Sequence, residues 1–408
     1  MARIRAIRNP IILLGAGASK PAGVPISAEM TKRMITQCRG TEYERPMQAI
    51  VGALQMQQSL TGRKLDVEQV VNASVLLADR LSLEFAPFVG AWHPFIDDLE
   101  RRRFTRSDAM AIANRAMRSM NSSRRSERAA TEGQVEKAIA NALIGFAKTV
   151  DRRPDGAVFR SLSTHLTNLL INIVWLTNAD KLSYLDPLLR AAARRRLTIA
   201  TLNYDNSIEL RAGKLGIMCE TGLGEWAATG SLPEISRGVE LLKLHGSANW
   251  TWSAPASAAN DWQVDRHIVE RLAPQPADNE DVEEQEVSGG LAVLFGGHNK
   301  LTAEGPFLDL LVRFRNRLFA SRGLVVIGYS FRDPHINHYL LRWLRADRYA
   351  RMIVVDAVGA HEDEHPFFDF YGDEFGKRLT FLPKGARGAI SILFGGNSKS
   401  QSVGSKRM

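Results

Sequence analysis

A chain of 408 residues with 45% hydrophobic content buries a large core, in one elaborated domain or two, which excludes a disordered or fibrous protein. Two cysteines, Cys38 and Cys219, and no Cys-x-x-Cys pair exclude a disulfide framework and a cysteine-built zinc site, so a reducing cytoplasm is the expected setting. The net charge of +9, contributed in part by Arg101-Arg102-Arg103, Arg124-Arg125 and Arg194-Arg195-Arg196, leaves a nucleic-acid partner open, because these clusters lack interleaved aromatics and suit solvated faces or oligomer contacts equally.

The first element is the run Ile11-Ile12-Leu13-Leu14, which reads as a buried parallel strand handing over to the loop Gly15-Ala16-Gly17-Ala18-Ser19. Arg3, Arg5 and Arg8 ahead of it, with Ala16-Gly17-Ala18 behind, imitate a signal peptide; the apolar stretch is short and opens at Pro10, so a core strand accounts for the same residues. No segment approaches the roughly 20 apolar residues of a membrane span, and no membrane partner is expected. The two glycines let the backbone approach a pyrophosphate, and the N–H groups of a following helix face the anion, so a dinucleotide is the first ligand to consider. The dinucleotide fingerprint is incomplete. Lys20 stands where a third glycine belongs, Pro21 follows, and no strand ends in an acidic residue about 20 positions on. Beyond the loop Gly23–Ser27 the spacing predicts a helix capped by Ser27, with Met30, Met34 and Cys38 on one face.

Between residues 42 and 190 the strand signal disappears, and apolar residues recur at helical spacing, as in Val67-Val70-Val71 and Ala138-Leu143-Phe146. Within this stretch, Arg101–Ser126 reads as a charged, Ser-rich loop. Further buried strands are predicted at Leu197–Leu202, Glu240–Leu244, Leu291–Phe295, Leu324–Ile327 and Met352–Val355. A second insertion begins after Trp250, where Trp252 and Trp262 suggest local packing; the acidic run Asp278–Glu286 behind it reads as a solvated loop, since its carboxylates lack metal-site spacing. Gly296-Gly297-His298-Asn299-Lys300 also reads as loop. Asp333-Pro334 supplies an N-cap and a proline at N1 for a helix that buries Ile336, Tyr339, Leu340, Trp343 and Leu344. The expected fold is α/β, a Rossmann-like doubly wound parallel sheet built from residues 1–41 and 191–396. A large helical insertion occupies 42–190, and 397–408 form a disordered tail.

Three of these strands end in polar clusters: Asn203-Tyr204-Asp205, His245-Gly246-Ser247, and Gly328-Tyr329-Ser330-Phe331-Arg332-Asp333. In an open parallel sheet the ligand crevice lies outside the carboxyl ends of the strands, so these groups and the glycine loop converge on one site.

In this order Gly15-Ala16-Gly17-Ala18-Ser19, Thr201-Leu202-Asn203-Tyr204-Asp205, Lys243-Leu244-His245-Gly246-Ser247 and Gly328-Tyr329-Ser330 resemble the motifs of the sirtuin (SIR2) superfamily. The Tyr after the Asn, and Gly-Tyr-Ser-Phe-Arg-Asp-Pro near the end, are similar to the SIR2-like domains of bacterial anti-phage defence proteins. The resemblance covers the sheet portion from Ile11 to Asp356 and leaves out the helical insertion. It implies that Gly15, Ala16, Gly17, Ala18, Ser19, Pro25, Gly246, Ser247, Gly328, Tyr329, Ser330 and Asp356 surround NAD+, with Asn203, His245 and Asp205 at the reacting ribose and no metal.

The chemistry asks for the same residue types. Breaking the nicotinamide–ribose bond develops oxocarbenium-like charge, so the site must orient the ribose and activate a nucleophile. His245 is suited to accept a proton from a ribose hydroxyl or a water, and Asn203 to hold the ribose or the attacking water without adding charge. Asp205 has two readings: the acid that positions the nicotinamide carboxamide, or a cap for a helix over Asn206–Ala212. Asp356, directly after the strand Met352–Val355, suits the adenosine ribose, and Asp333 caps its own helix.

Two departures from the sirtuin pattern bear on activity. The four-cysteine zinc module is missing, and the first loop continues as Pro25-Ile26-Ser27-Ala28-Glu29 where sirtuin deacylases carry an Asp-Phe-Arg-like segment. Both favour water as acceptor, hence an NAD+ glycohydrolase that depletes NAD+ in abortive infection. The alternatives are a protein deacylase, an ADP-ribosyltransferase, or a non-catalytic sensor of NAD+ or ADP-ribose. The resemblance further implies homo-oligomers, with the Arg-rich insertion as a contact surface, and a HerA-type ATPase partner.

Overall fold

The computed structural model describes residues 9–61, 65–78, 157–255, 267–274, 286–294, 305–357 and 365–395. The features expected at Arg101–Ser126, Ala138-Leu143-Phe146, Trp262, residues 278–285, His298 and 397–408 lie outside the described residues. Two compact units emerge: residues 1–26, 174–294 and 299–408 form one, and residues 27–173 with 295–298 the other.

The first unit opens with β1 (Ile11–Leu14) and a single helical turn, α1 (Ala16–Ser19). The second holds α2 (Ser27–Cys38), α3 (Glu44–Thr61), α4 (Val67–Ala78) and most of α5 (Ala157–Val174). The chain then returns to the first unit through α6 (Asp186–Arg195), β2 (Thr198–Thr201), α7 (Ser207–Lys214), β3 (Cys219–Glu220), α8 (Leu223–Thr229) and β4 (Val239–Lys243). Three antiparallel strands follow, β5 (Gly246–Pro255), β6 (His267–Glu270) and β7 (Glu286–Val293). The unit closes with α9 (Phe307–Ala320), β8 (Gly323–Ile327), α10 (Pro334–Ala346), β9 (Arg351–Asp356), α11 (Pro366–Phe375), β10 (Leu379–Pro383) and α12 (Ala386–Phe394).

Seven strands form one sheet in the order β10-β9-β8-β1-β2-β4-β3, and every pairing in it is parallel. The fold is therefore the expected Rossmann-like α/β arrangement. β1 lies at its centre, with Leu13 opposite Ala200 on β2 and Val326 on β8. That position explains its composition: a strand covered on both faces reads as an unbroken apolar run. Ile11 and Leu13 face a core shared with Phe314 of α9 and Leu340 and Trp343 of α10, while Ile12 and Leu14 face Leu188 of α6, Ile208 of α7 and Ile390 of α12. From β1 the chain builds one half of the sheet through β2 and β4, and β8, β9 and β10 build the other. The strand order thus reverses at the β1–β8 boundary, where such sheets open a ligand crevice.

Two expectations are corrected. The apolar stretch beginning at Leu291 contributes to β7 of the small antiparallel sheet, where Leu291 pairs with Thr251, and adds nothing to the parallel one; a short apolar run carries no signal of its pairing direction. Phe295 lies outside the described residues. Ser27 starts α2 as its first residue, one position past the expected N-cap, and its hydroxyl accepts the Val67 amide at 3.2 Å. The edge strand β10, unmarked in the sequence by any long apolar run, pairs with β9 from Leu379 opposite Met352 to Pro383 opposite Asp356.

Candidate active site

At the ends of β1 and β8 the two segments touch backbone to backbone. The Gly15 amide donates to Ile327 O at 3.0 Å and the Gly17 amide to Gly328 O at 2.9 Å. A Cβ on Gly15 would lie 2.6 Å from Gly328 O, and one on Gly17 would lie 2.8 Å from the Gly328 Cα. Gly328, at φ +64°, returns the constraint: its own Cβ would meet Gly17 and Ala18 at 2.5 Å. The close approach that the glycines permit is thus first of all to the chain's own β8 turn. The Tyr184 hydroxyl braces the loop by donating to Ala18 O at 2.7 Å, and Pro25 is buried where the loop ends.

On the other side of β1, Asn203 leaves β2 and folds back over this loop. Its Nδ2 donates to Gly15 O at 3.0 Å and to Ser19 Oγ at 3.1 Å. A carbonyl oxygen only accepts, so the amide must turn its nitrogen to Gly15, and its Oδ1 is the atom that remains to accept from a ligand. Asp205 is buried, and its Oδ1 accepts the Ser207 amide at 3.0 Å where α7 begins. This is the helix-start contact; α7 runs from Ser207 to Lys214, offset from the expected Asn206–Ala212.

His245 follows β4 in a two-residue turn before β5. Its Nε2 lies 2.9 Å from Asp333 Oδ2, both side chains being about 95% buried. Asp333 Oδ1 meanwhile accepts the amides of His335 at 3.0 Å and Ile336 at 3.3 Å, capping α10. The cap was legible in Asp-Pro; the hold on His245 was not, because 88 residues separate the partners. The Tyr204 ring stands 6.4 Å from the imidazole, so the β2 and β4 exits bring Asn203 and His245 to neighbouring positions.

The turn after β8 is braced by its own side chains. The buried Tyr329 hydroxyl donates to Asn337 Oδ1 at 2.9 Å and accepts the Asp333 amide at 3.1 Å, and Asn337 Nδ2 donates to Phe331 O at 2.7 Å. These contacts hold Phe331 at φ +54°, a strained conformation for a bulky residue, against the rings of Tyr329 and Phe367. Ser330 is exposed at the turn. Gly246, at φ +85°, starts β5 with the Ala292 carbonyl filling its Cβ space, and Ser247 is fully buried, donating to Asn249 Oδ1 at 2.6 Å. Asp356 ends β9 and faces His365 Nε2 at 3.8 Å. Loop residues 15–19, Asn203, His245 and Gly328 therefore lie at the carboxyl ends of the neighbouring strands β1, β2, β4 and β8. Ser247 and Tyr329 turn inward as braces, and Asp356 stands two strands from β1.

The fold defines a doubly wound α/β protein whose strand order reverses between β1 and β8, with these polar groups at the strand ends around that point. Residues 197–371 match the family described as SIR2-like domain, a span that includes Asn203, His245, Gly328 and Asp333. Among solved structures, the chain is similar to a Sir2 homologue in complex with NAD, at 13% identity over 96% of this chain and 90% of that one, with a TM-score of 0.40. It is also similar to a mutant Sir2 homologue in complex with ADP-ribose, at 12% identity over 96% and 92% of the two chains, with a TM-score of 0.39. No curated protein matches the chain. Among the described residues no helix is long and apolar enough to cross a membrane, and no group of three or more His, Cys, Asp or Glu side chains is placed to hold a metal ion.

Proposed function

We propose that this protein hydrolyses NAD+ at the nicotinamide–ribose bond, releasing nicotinamide and ADP-ribose. The observation that carries this reading is the pair of anchored groups at adjacent strand ends, His245 on the buried Asp333 carboxylate and Asn203 on Gly15 and Ser19. The SIR2-like match over residues 197–371 supports the choice of dinucleotide.

An ionised Asp333 only accepts, so His245 carries its proton on Nε2 and its lone pair on Nδ1. As the bond from C1′ to the pyridinium nitrogen breaks, its electron pair leaves with nicotinamide and positive charge builds on the ribose. Water adds to C1′, and His245 takes up its proton directly or through a ribose hydroxyl while Asp333 stabilises the imidazolium. The balance is NAD+ and water to nicotinamide, ADP-ribose and a proton. Asn203 Oδ1 orients the hydroxyl or the water, and Asp205 is assigned to the nicotinamide carboxamide.

The setting we propose is cytoplasmic NAD+ depletion during phage infection, by a homo-oligomer working with a HerA-type ATPase. The Gly-Tyr-Ser-Phe-Arg-Asp-Pro form of the β8 turn supports it. Nicotinamide release from NAD+ by the purified chain, alone and with that ATPase, tests the chemistry. Free ADP-ribose without any acceptor is expected; turnover only with an acylated peptide, or none in either mixture, would overturn it. Sizing that finds a strict monomer would remove the oligomer.

A further inference from the structure

We propose that Lys243 is a positioning residue, setting the Asn203–Asp205 segment against His245; the proposal deepens the NAD+-cleaving reading and rests on it. Lys243 is the last residue of β4 and is wholly buried. Its Nζ donates to Glu209 Oε1 at 2.6 Å and to the Asp205 carbonyl at 2.7 Å. One side chain therefore ties the strand that leads into His245 to the loop that carries Asn203 and Asp205.

The residue type is informative because burying an ammonium is costly, and a buried ion pair is often replaceable by apolar packing without loss of stability. Leu241, two residues back on the same face of β4, shows what ordinary packing against Ile208 and Ala212 of α7 uses. A methionine at 243 would fill that space as well. No apolar side chain could hold the Asp205 carbonyl. Glu209 then serves as counter-charge: its side chain is 23% exposed in the wall of a cleft shared with Trp175 and Leu272, and burial pushes its carboxyl above the ordinary range while Lys243 pulls it down. Placing the loop is the function that remains for the lysine once packing and charge balance are accounted for.

Lys243→Met and the double variant Lys243→Met/Glu209→Gln, which leaves no unmatched charge, test this. The single variant is expected to lose thermal stability and about 10²-fold in kcat, the scale of a misplaced catalytic group, with KM for NAD+ little changed. The double variant is expected to regain the stability and not the kcat, since the Asp205 tether is still missing. Hydrogen exchange at the Ser207 and Ala248 amides, which bond Asp205 Oδ1 and Tyr204 O, is expected to accelerate in both variants. Recovery of kcat together with stability in the double variant, or unchanged exchange at these amides, would overturn the proposal. A wild-type chain without NAD+ turnover would instead sink the hydrolase reading, and the exchange result would still decide the tether.

Discussion

The two oxygens of Asp333 serve two elements: Oδ2 lies 2.9 Å from His245 Nε2, and Oδ1 accepts the His335 and Ile336 amides that open α10. The imidazole is thereby fixed to the rigid start of a helix packed on the sheet through Ile336, Leu340 and Trp343.

Substituting Asp333→Asn separates the two duties. Asn caps a helix about as well as Asp, so thermal stability should stay near wild type, while the lost charge and the altered imidazole tautomer should lower nicotinamide release by about 10²–10⁴-fold. Asp333→Ala should show the same catalytic loss and in addition cost about 1 kcal/mol of stability for the missing cap. Paired melting and turnover measurements check both; full turnover in the Asn variant would show that Asp333 is a cap only.

Asn203→Asp tests the orientation of the amide. The replacement is nearly isosteric, yet it turns a carboxylate oxygen toward Gly15 O, where the wild type has a donor. Release of nicotinamide should fall by at least as much as in Asn203→Ala, and a partly active Asp variant would refute the locked-amide geometry.

The glycine contacts predict a hierarchy of stability losses in urea unfolding. Gly15→Ala and Gly328→Ala force a Cβ against backbone at 2.6 and 2.5 Å and should each cost about 1–3 kcal/mol or more. Gly23→Ala meets nothing within 4 Å and carries only the strain of φ +97°, about 1–2 kcal/mol. Equal, small losses at all three positions would contradict the close β1–β8 crossing.

His365 predicts part of the pH dependence of stability. Burial holds its imidazole below the ordinary value, with the neighbouring Asp356 opposing. The unfolded chain therefore binds the proton first: the contribution is complete above about pH 6.5 and is lost as pH falls through the folded-state value. His365→Asn keeps an acceptor for the Phe367 amide at the start of α11 and removes the titrating group. Between about pH 7.5 and about pH 5.5 the wild type should lose more melting temperature than the variant; equal losses would exclude His365 as a contributor.

Much of the frame was readable one segment at a time. β1, β2, β4, β8 and β9 announce themselves as apolar runs because each is covered on both faces, and Asp333-Pro334 marks α10 because capping is a contact between near neighbours. β5, β6 and β10 carry weaker patterns, being outside the parallel sheet or at its edge, where a strand is only half enclosed. The candidate site was legible only as a set of residue types at strand ends, since parallel topology sends those ends to one side.

The amino-acid order was enough to specify the strand-and-helix alternation, the glycine turn and the candidates Asn203 and His245, because these follow from periodicity and from residues adjacent along the chain. Folding alone decided that Asp333 holds His245, that Gly15 and Ser19 lock Asn203, and that Lys243 reaches Asp205. Those contacts join segments that become neighbours only when β1, β2, β4 and β8 align, and no local pattern encodes a distance across a sheet.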